Sequence, residues 1–424
     1  MNQPIKVIVI GAGNRGFMYS LYINAMKKQY QIVGVAEPNP VLKERMRTRC
    51  ELGEDVEFFD SWEEILAKPK FADLALIATM DELHYAPAMK AIEQGYNILL
   101  EKPVAQTAEE CVDIANAAAE KGVKVLVCHV LRYTPFFRRV KQILMDGTIG
   151  DIMSIDHVEG IGNLHFSHSY VRGKWHSEKE TTPMLLAKSC HDLDIIQWLV
   201  DRPCKKVQSF GHLTHFRPEN APEGSPVRCY EGNCPVADTC PYECVRLYVE
   251  KTHKKWFACG FNKEETIKNL KNTDYGLCVY HANNDVLDHQ VVNMEFEGGV
   301  TASFSVNAFN EGGRYIRIYG TKGELYAHLR DPEIMVYTYE DMERHKIPVV
   351  ETREDIKGGH GGGDAGLIME LYQYMSDCYN GVCAADIDVS VRNHLIGFAA
   401  EKSRHEGSVV DVTQFCKDND YVNK

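Results

Sequence analysis

The run Lys6-Val-Ile-Val-Ile10 leads straight into Gly11-Ala-Gly13-Asn14-Arg15-Gly16, and a helical stretch to about Lys28 follows. Few folds accept a β-branched run, three glycines at that spacing and a helix in succession. Gly11 permits the tight turn, Gly13 lets a pyrophosphate approach the backbone, and Gly16 lets the helix pack close to the strand. Phosphate charge would meet the unpaired N–H groups at the helix N-terminus. Glu37 lies 21 residues past Gly16, at the end of the second strand, Gln31 to Ala36. A carboxylate there accepts from the ribose hydroxyls of NAD and repels the 2′-phosphate of NADP. A solvated surface glutamate is the plainer alternative.

The same strand–helix alternation continues. Strands are expected at 73–78, 96–100 and 123–128, with helices at 41–50, 83–94 and 108–121, the last two stopped by Gly95 and Gly122. This spacing predicts an α/β Rossmann domain with a doubly wound parallel sheet, residues 1–128. Beyond it, a helix from Pro135 to Met145 gives way to period-two patterns at 152–158, 290–296, 300–306, 315–318 and 324–328, with glycine turns between. Residues 129–424 therefore read as an α+β domain with an open, mostly antiparallel sheet. Helices at 184–200, 367–380 and 389–400 would cover one face. Prolines, cysteines and charges without periodicity mark an insertion at about 214–272.

Sixty acidic side chains against 47 basic ones give a net charge of −13, which argues against nucleic acid or an anionic membrane as partner. No run of eighteen uncharged apolar residues occurs, and the start lacks the order of a secretory signal, so a cytoplasmic location is expected. Fourteen cysteines in a reducing compartment are buried apolar residues or metal ligands rather than disulfides. Cys229, Cys234, Cys240 and Cys244 fall within sixteen residues of the insertion and could hold a structural zinc. Two disulfides, an iron–sulfur cluster or free thiols are the alternatives. Cys259, Cys278 and His281 are near enough in sequence to replace a ligand.

Glu101-Lys102-Pro103 closes the fifth strand, at the sheet edge that faces the ligand crevice. Lys102 is either a site residue or a surface lysine paired with Glu101. Arg132, just after the last strand of the first domain, would line the interdomain seam. His165, His168, Arg172, Trp175 and His176 crowd one irregular segment, and aromatic rings with histidines suit a sugar. Gly358 to Asp364 holds five glycines and His360. Asp364 there fits a helix N-cap, and His360 is a secondary substrate candidate.

The glycine turn, Thr79-Met-Asp-Glu-Leu-His84, Glu101-Lys-Pro103 and His191-Asp-Leu-Asp194 ahead of Trp198 occur in that order. Together they resemble the glucose–fructose oxidoreductase / inositol dehydrogenase / rhizopine catabolism (Gfo/Idh/MocA) family of NAD(P)-dependent oxidoreductases, from Lys6 to about Asn307 with the insertion excepted, and more loosely to Ala400. The resemblance implies a small-molecule sugar, polyol or glycoside bound between the domains, over the nicotinamide. It places Asn14, Arg15, Thr79, His84 and Glu101 with the cofactor. Lys102 matches the lysine that contacts the reacting hydroxyl, and Pro103 a proline often cis. His191 matches the histidine of an Asp-x-x-x-His element, but the aspartate position is Ala187, with Lys188 beside it as the charged neighbour. A buried core histidine is the alternative for His191. A homodimer or tetramer joined through the open sheet is implied as well. Two further readings are a hydrolase or lyase that keeps NAD bound through transient oxidation, and a non-catalytic NAD-binding sensor.

Overall fold

The computed structural model describes residues 3–250, 262–349, 359–376 and 379–421. Gly358 and Cys259 lie outside the described residues. In the first domain β1 (Ile5–Ile10), β2 (Tyr30–Ala36), β3 (Glu57–Phe59), β4 (Leu74–Ile77), β5 (Asn97–Leu100) and β6 (Val125–Val127) form one parallel sheet in the order β3-β2-β1-β4-β5-β6. β4 is buried at every position and β1 and β5 nearly so, which is why these strands read as continuous apolar runs. The connecting helices are α1 (Asn14–Ala25), α2 (Pro40–Arg49), α3 (Trp62–Ala67), α4 (Tyr85–Glu93) and α5 (Ala108–Lys121). Thr107 caps α5 at its start and Gly122 ends it in the left-handed region. Strand order reverses between β1 and β4, so the ligand crevice lies at their carboxyl ends.

Among the described residues the second sheet has nine strands, in the order β14-β13-β12-β11-β7-β10-β9-β8-β15. They are β7 (Ile152–Gly160), β8 (Cys204–His212), β9 (His289–Phe296), β10 (Thr301–Asn307), β11 (Gly313–Gly320), β12 (Gly323–His328), β13 (Glu333–Thr338), β14 (Arg344–Pro348) and β15 (Val410–Asp411). Every pairing is antiparallel except β10 with β7. Burial alternates along β10, β11 and β12, as one covered and one open face require. Phe210, Tyr315 and Tyr326 are half exposed on the open face.

The helices of the second half are α6 (Pro135–Met145), α7 (Asn163–Phe166), α8 (Met184–Ala187), α9 (Cys190–Val200), α10 (Lys263–Asn272), α11 (Gly363–Tyr374), α12 (Ile387–Glu406) and α13 (Val412–Asp418). α9 packs on β7, and α12 packs on β8 and on α5 of the first domain. The expected single helix over 184–200 is broken at Lys188–Ser189 into α8 and α9. β8 and β9 are neighbours, so the insertion is everything between them, residues 213–288, and runs past the expected end at 272.

Candidate active site

The glycine turn has the shape a dinucleotide needs. Gly11 has φ +89°, and a Cβ there would lie 2.7 Å from the Ala78 carbonyl oxygen. A Cβ on Gly16 would lie 2.0 Å from the Gly11 oxygen, whereas one on Gly13 would meet nothing within 4 Å. The turn is thus packed behind and open in front. Gly13 is the N-cap of α1 and offers no side-chain cap, which leaves helix N–H groups for a phosphate. Glu37 is 6% exposed. Its Oε2 accepts from Ala12 N (2.8 Å) and its Oε1 from Asn39 N (2.9 Å), so it is no solvated surface group. Arg45 of α2, which sequence reasoning missed, donates to the Ala12 and Gly13 carbonyls (2.7 and 3.0 Å) and lies over the Phe17 ring. Nothing but its helical distance from Asn39 hinted at this.

Three residues expected at the cofactor are held elsewhere. Arg15 turns away from the phosphate position, with Nε 2.9 Å from Glu101 Oε1 and Nη2 2.7 Å from Asp364 Oδ1. Glu101 is buried; its Oε1 also accepts from Tyr19 Oη (2.8 Å) and its Oε2 from the Lys102 backbone N–H (2.8 Å), so both carboxylate oxygens are engaged within the protein. Arginine attraction, against the cost of burial, holds the Glu101 carboxyl below its ordinary range. Asp364 binds Arg15 instead of capping α11, where Gly362 takes the N-cap. His84 is fully buried, its Nδ1 at 2.7 Å from the Pro103 oxygen and its Nε2 at 3.3 Å from the Thr79 oxygen. Its ring ties two loops of the crevice together. Thr79 is half-buried at the same edge and donates to the Leu83 oxygen, and Asn14 is exposed at the start of α1.

Lys102, Lys188, His191 and His360 come together on the other side of the crevice. The Lys102–Pro103 peptide is cis. Lys102 Nζ donates to the Ala187 carbonyl (2.8 Å), at the break between α8 and α9. The next residue, Lys188, places Nζ 3.4 Å from Glu159 Oε1 of β7. Arg314 Nε of β11 reaches Glu159 (2.9 Å) and Asp192 (2.7 Å), and His157 Nε2 lies 2.8 Å from Asp192 Oδ1. Glu159 therefore brings a carboxylate to the ammonium of Lys188, the residue after Ala187. Sequence reasoning missed it, though a charged residue at a covered strand position was the available signal.

The His191 ring stands 6.1 Å from that of His360 and 5.8 Å from that of His129, centroid to centroid. His191 Nδ1 is buried with no hydrogen-bond partner among the described residues. Burial first, then Lys102, His129, His360 and Arg314, push His191 well below the usual imidazole range. Burial likewise lowers Lys188, with Glu159 the largest opposing influence. A neutral imidazole close to the Lys102 amine can accept and return a proton.

Other expected substrate contacts have different roles. Arg132 is 2% exposed and binds Asp194 with both Nε and Nη2 at 2.7 Å, under the site rather than in it. His168 stacks on Tyr275 of the insertion, 4.9 Å between centroids, and is pushed down to about 4 by burial and Arg172. Arg172 is buried against the Leu277 and Tyr242 carbonyls. In each case a cation or ring that looked available is consumed by packing of the second domain. Trp175 stays near the crevice, donating to Asp81 Oδ2 (3.1 Å), an acceptor the sequence did not single out.

The buried imidazoles set an acid limit. Burial pushes His129 and His394 down to about 3, and His191 is also far below its ordinary value. An unfolded histidine binds a proton below about 6.5 that these native rings refuse. The unfolded state holds more protons in that window, so stability falls as pH drops through it, by about 1.4 kcal/mol per pH unit for each ring. Glu178, raised to about 7 by burial and Glu401, acts in the opposite sense. Denaturant midpoints are expected to be clearly lower at about pH 5 than at about pH 7.5. Equal midpoints would show that the native rings take up protons freely.

The sequence model described as "Oxidoreductase family, NAD-binding Rossmann fold" matches residues 5–129, and that of the "GFO/IDH/MocA C-terminal domain" matches residues 137–326. Over 393 residues the chain is 25% identical to YteT of Bacillus subtilis (strain 168), a protein whose name describes it as an oxidoreductase, covering 87% of this chain and 88% of that one. A 2,7-anhydro-N-acetylneuraminate hydratase of Escherichia coli (strain K12) is 29% identical over 154 residues, 36% of this chain and 40% of the relative. Levoglucosan dehydrogenase in complex with NADH shares the fold at a TM-score of 0.72 and 18% identity, covering 97% of this chain and 99% of that one.

Proposed function

The chain belongs to the GFO/IDH/MocA family of oxidoreductases with an NAD-binding Rossmann domain, and from that premise we propose that it transfers a hydride between NAD and a secondary hydroxyl of a sugar, polyol or glycoside. The observation that carries this reading is the meeting of Lys102, Lys188 and His191 across the crevice from a glycine turn open in front of Gly13. Bound NAD supplies the hydride acceptor or donor. The turn and Glu37 would hold it, the carboxylate accepting from ribose. Lys102 would donate to the substrate hydroxyl oxygen, and His191, neutral by burial, would take the hydroxyl proton. Lys188 would polarise the same oxygen, steadied by Glu159. A spectrophotometric screen of sugars, polyols and glycosides for NAD reduction tests this. NADH formation with a member of these classes supports it. NAD retained through purification, with substrate converted but no net NADH, would replace it with transient oxidation, a reading kept in view by the hydratase relative. No substrate of any kind would leave a sensor.

NAD is expected to bind at least tenfold tighter than NADP, a difference of about 1.4 kcal/mol. A 2′-phosphate would meet the buried Glu37 carboxylate. Arg45 is close by but already engaged with two turn carbonyls and the Phe17 ring. Titration of both cofactors decides it, and equal or tighter NADP binding overturns the assignment. A homodimer or tetramer across the open face, where Phe210, Tyr315 and Tyr326 are half exposed, belongs to the same reading, and light scattering tests it. Among the described residues, no helix is long and apolar enough to cross a membrane.

A further inference from the structure

The insertion between β8 and β9 carries a pair of thiols that the hydride chemistry does not use. The four sulfurs grouped by sequence spacing, Cys229, Cys234, Cys240 and Cys244, do not come together around one ion. Among the described residues no three donor atoms from these cysteines, Cys278 and His281 lie within 4.8 Å of one another, so the expected structural zinc has no four-thiolate cage. Cys229, Cys234 and Cys240 line one cavity, but Cys244 does not; it is fully buried in a small apolar cluster with Tyr248 and Leu270. Only Cys229 packs against that cluster from the cavity side. The Cys229 and Cys244 sulfurs lie within 4.8 Å of each other, and the Cys244 thiol donates to the Cys229 sulfur. The backbone N–H of Cys244 donates to the same sulfur (3.4 Å).

The two thiols are unlike, and the difference has the sense a redox pair needs. Cys229 is partly exposed in the cavity, whereas Cys244 is closed off from solvent. The Cys244 hydrogen bond, against the cost of burial and helped by the Cys244 N–H and the Arg172 guanidinium, holds Cys229 below the usual thiol range. The same bond, and then burial, push Cys244 up. Cys229 is therefore the thiolate, the form that attacks an oxidant, and Cys244 the thiol held beside it. Arg172 lines the cavity and is fixed by the carbonyls of Leu277 and Tyr242, with its guanidinium over the Tyr248 ring. A fixed cation there favours a thiolate and disfavours a metal ion. Glu243 Oε1 stands 3.9 Å from the Cys229 sulfur, but its carboxylate already accepts from Val245 N (2.9 Å) and Arg246 N (2.7 Å). Three residues past Arg172, Trp175 bonds to Asp81 at the crevice, so the pair and the site share one segment of chain.

We propose that Cys229 and Cys244 form a reversible disulfide, Cys229 attacking the oxidant and Cys244 resolving the product. With hydrogen peroxide, the Cys229 thiolate attacks one peroxide oxygen, the O–O bond breaks, and the departing hydroxide takes up a proton to become water. The Cys244 sulfur then displaces hydroxide from the Cys229 sulfenic acid, an S–S bond replacing the S–O bond, and the Cys244 proton leaves with it as a second water. Two electrons pass from the sulfurs to the peroxide, and a dithiol returns them. Peroxide treatment of the full chain, then digestion without reductant and mass spectrometry, is expected to give a peptide pair joined through Cys229 and Cys244, lighter by two hydrogens and separated again by dithiothreitol. Cys244→Ser should stop at the Cys229 sulfenic acid, trapped by dimedone. Because that variant can fail to fold, the cross-link in the unaltered protein decides. Both thiols left free after peroxide overturn the assignment, as does a disulfide from Cys229 to Cys234, Cys240 or Cys278. So does about one zinc per chain that must be chelated before the pair reacts, which would make Cys229, Glu243 and Cys244 a metal site.

Discussion

Replacing Lys102 by alanine is expected to lower turnover by about 10²–10⁴, the usual worth of a positioned proton-handling group, while leaving NAD affinity within a few fold. The separation follows from geometry. The elements that would hold the cofactor, the Gly11–Gly16 turn and Glu37, make no hydrogen bond to the Lys102 side chain, whose Nζ bonds to Ala187 across the crevice. Removing the amine should therefore strike kcat and leave the nucleotide cradle intact. Lys102→Arg restores the charge but not the compact donor, so only slight recovery is expected. Turnover and cofactor titration of the same samples check both halves. A Lys102→Ala protein with near-normal turnover would transfer the role to Lys188 or His191, whose replacements are then the informative ones.

What the sequence makes readable is local. The β1–turn–α1 unit, the bounds of α5 with its Thr107 and Gly122 caps, and the Glu101-Lys102-Pro103 edge all depend on neighbours a few residues apart. The parallel sheet, the antiparallel second sheet and the family follow from those local patterns in sequence. β3 and α3 escape because three and six residues are too few to show a period. The break between α8 and α9 escapes because no glycine or proline marks it; apolar periodicity runs on through Lys188.

The site shows the same limit more sharply. Glu159, Asp192 and Arg314 meet from β7, α9 and β11, and no spacing rule joins positions so far apart. Density of cations and rings along the chain was a poor guide for the opposite reason. Arg132, Arg172 and His168 look free in sequence because their partners, Asp194, two backbone carbonyls and Tyr275, are distant in it.

Asp194→Ala is expected to cost about 3–5 kcal/mol of stability, the usual consequence of stranding a buried charge. Arg132 is 2% exposed and Asp194 fully buried, and two bonds of 2.7 Å join them. Asn393 of α12 adds a third bond to Asp194 (2.6 Å). The carboxylate thus fastens α9 both to the segment after β6 and to the helix that returns across the two domains. Without it the guanidinium keeps the Ala384 carbonyl at 3.4 Å and the face of the Trp198 ring, and no carboxylate balances its buried charge. The net value of the pair is a different quantity, since both ions lost hydration to form it. Arg132→Met combined with Asp194→Leu should therefore recover most of the lost stability, because neither charge is left alone. Denaturant unfolding of the single and double variants separates the two quantities. A single variant within about 1 kcal/mol of the unaltered protein would mean that water enters the site. A double variant no better than the single would mean that the geometry, not the charge balance, holds α9 in place. His191 lies three residues before Asp194 on α9, so turnover measured well below the unfolding transition reports whether that helix keeps its position.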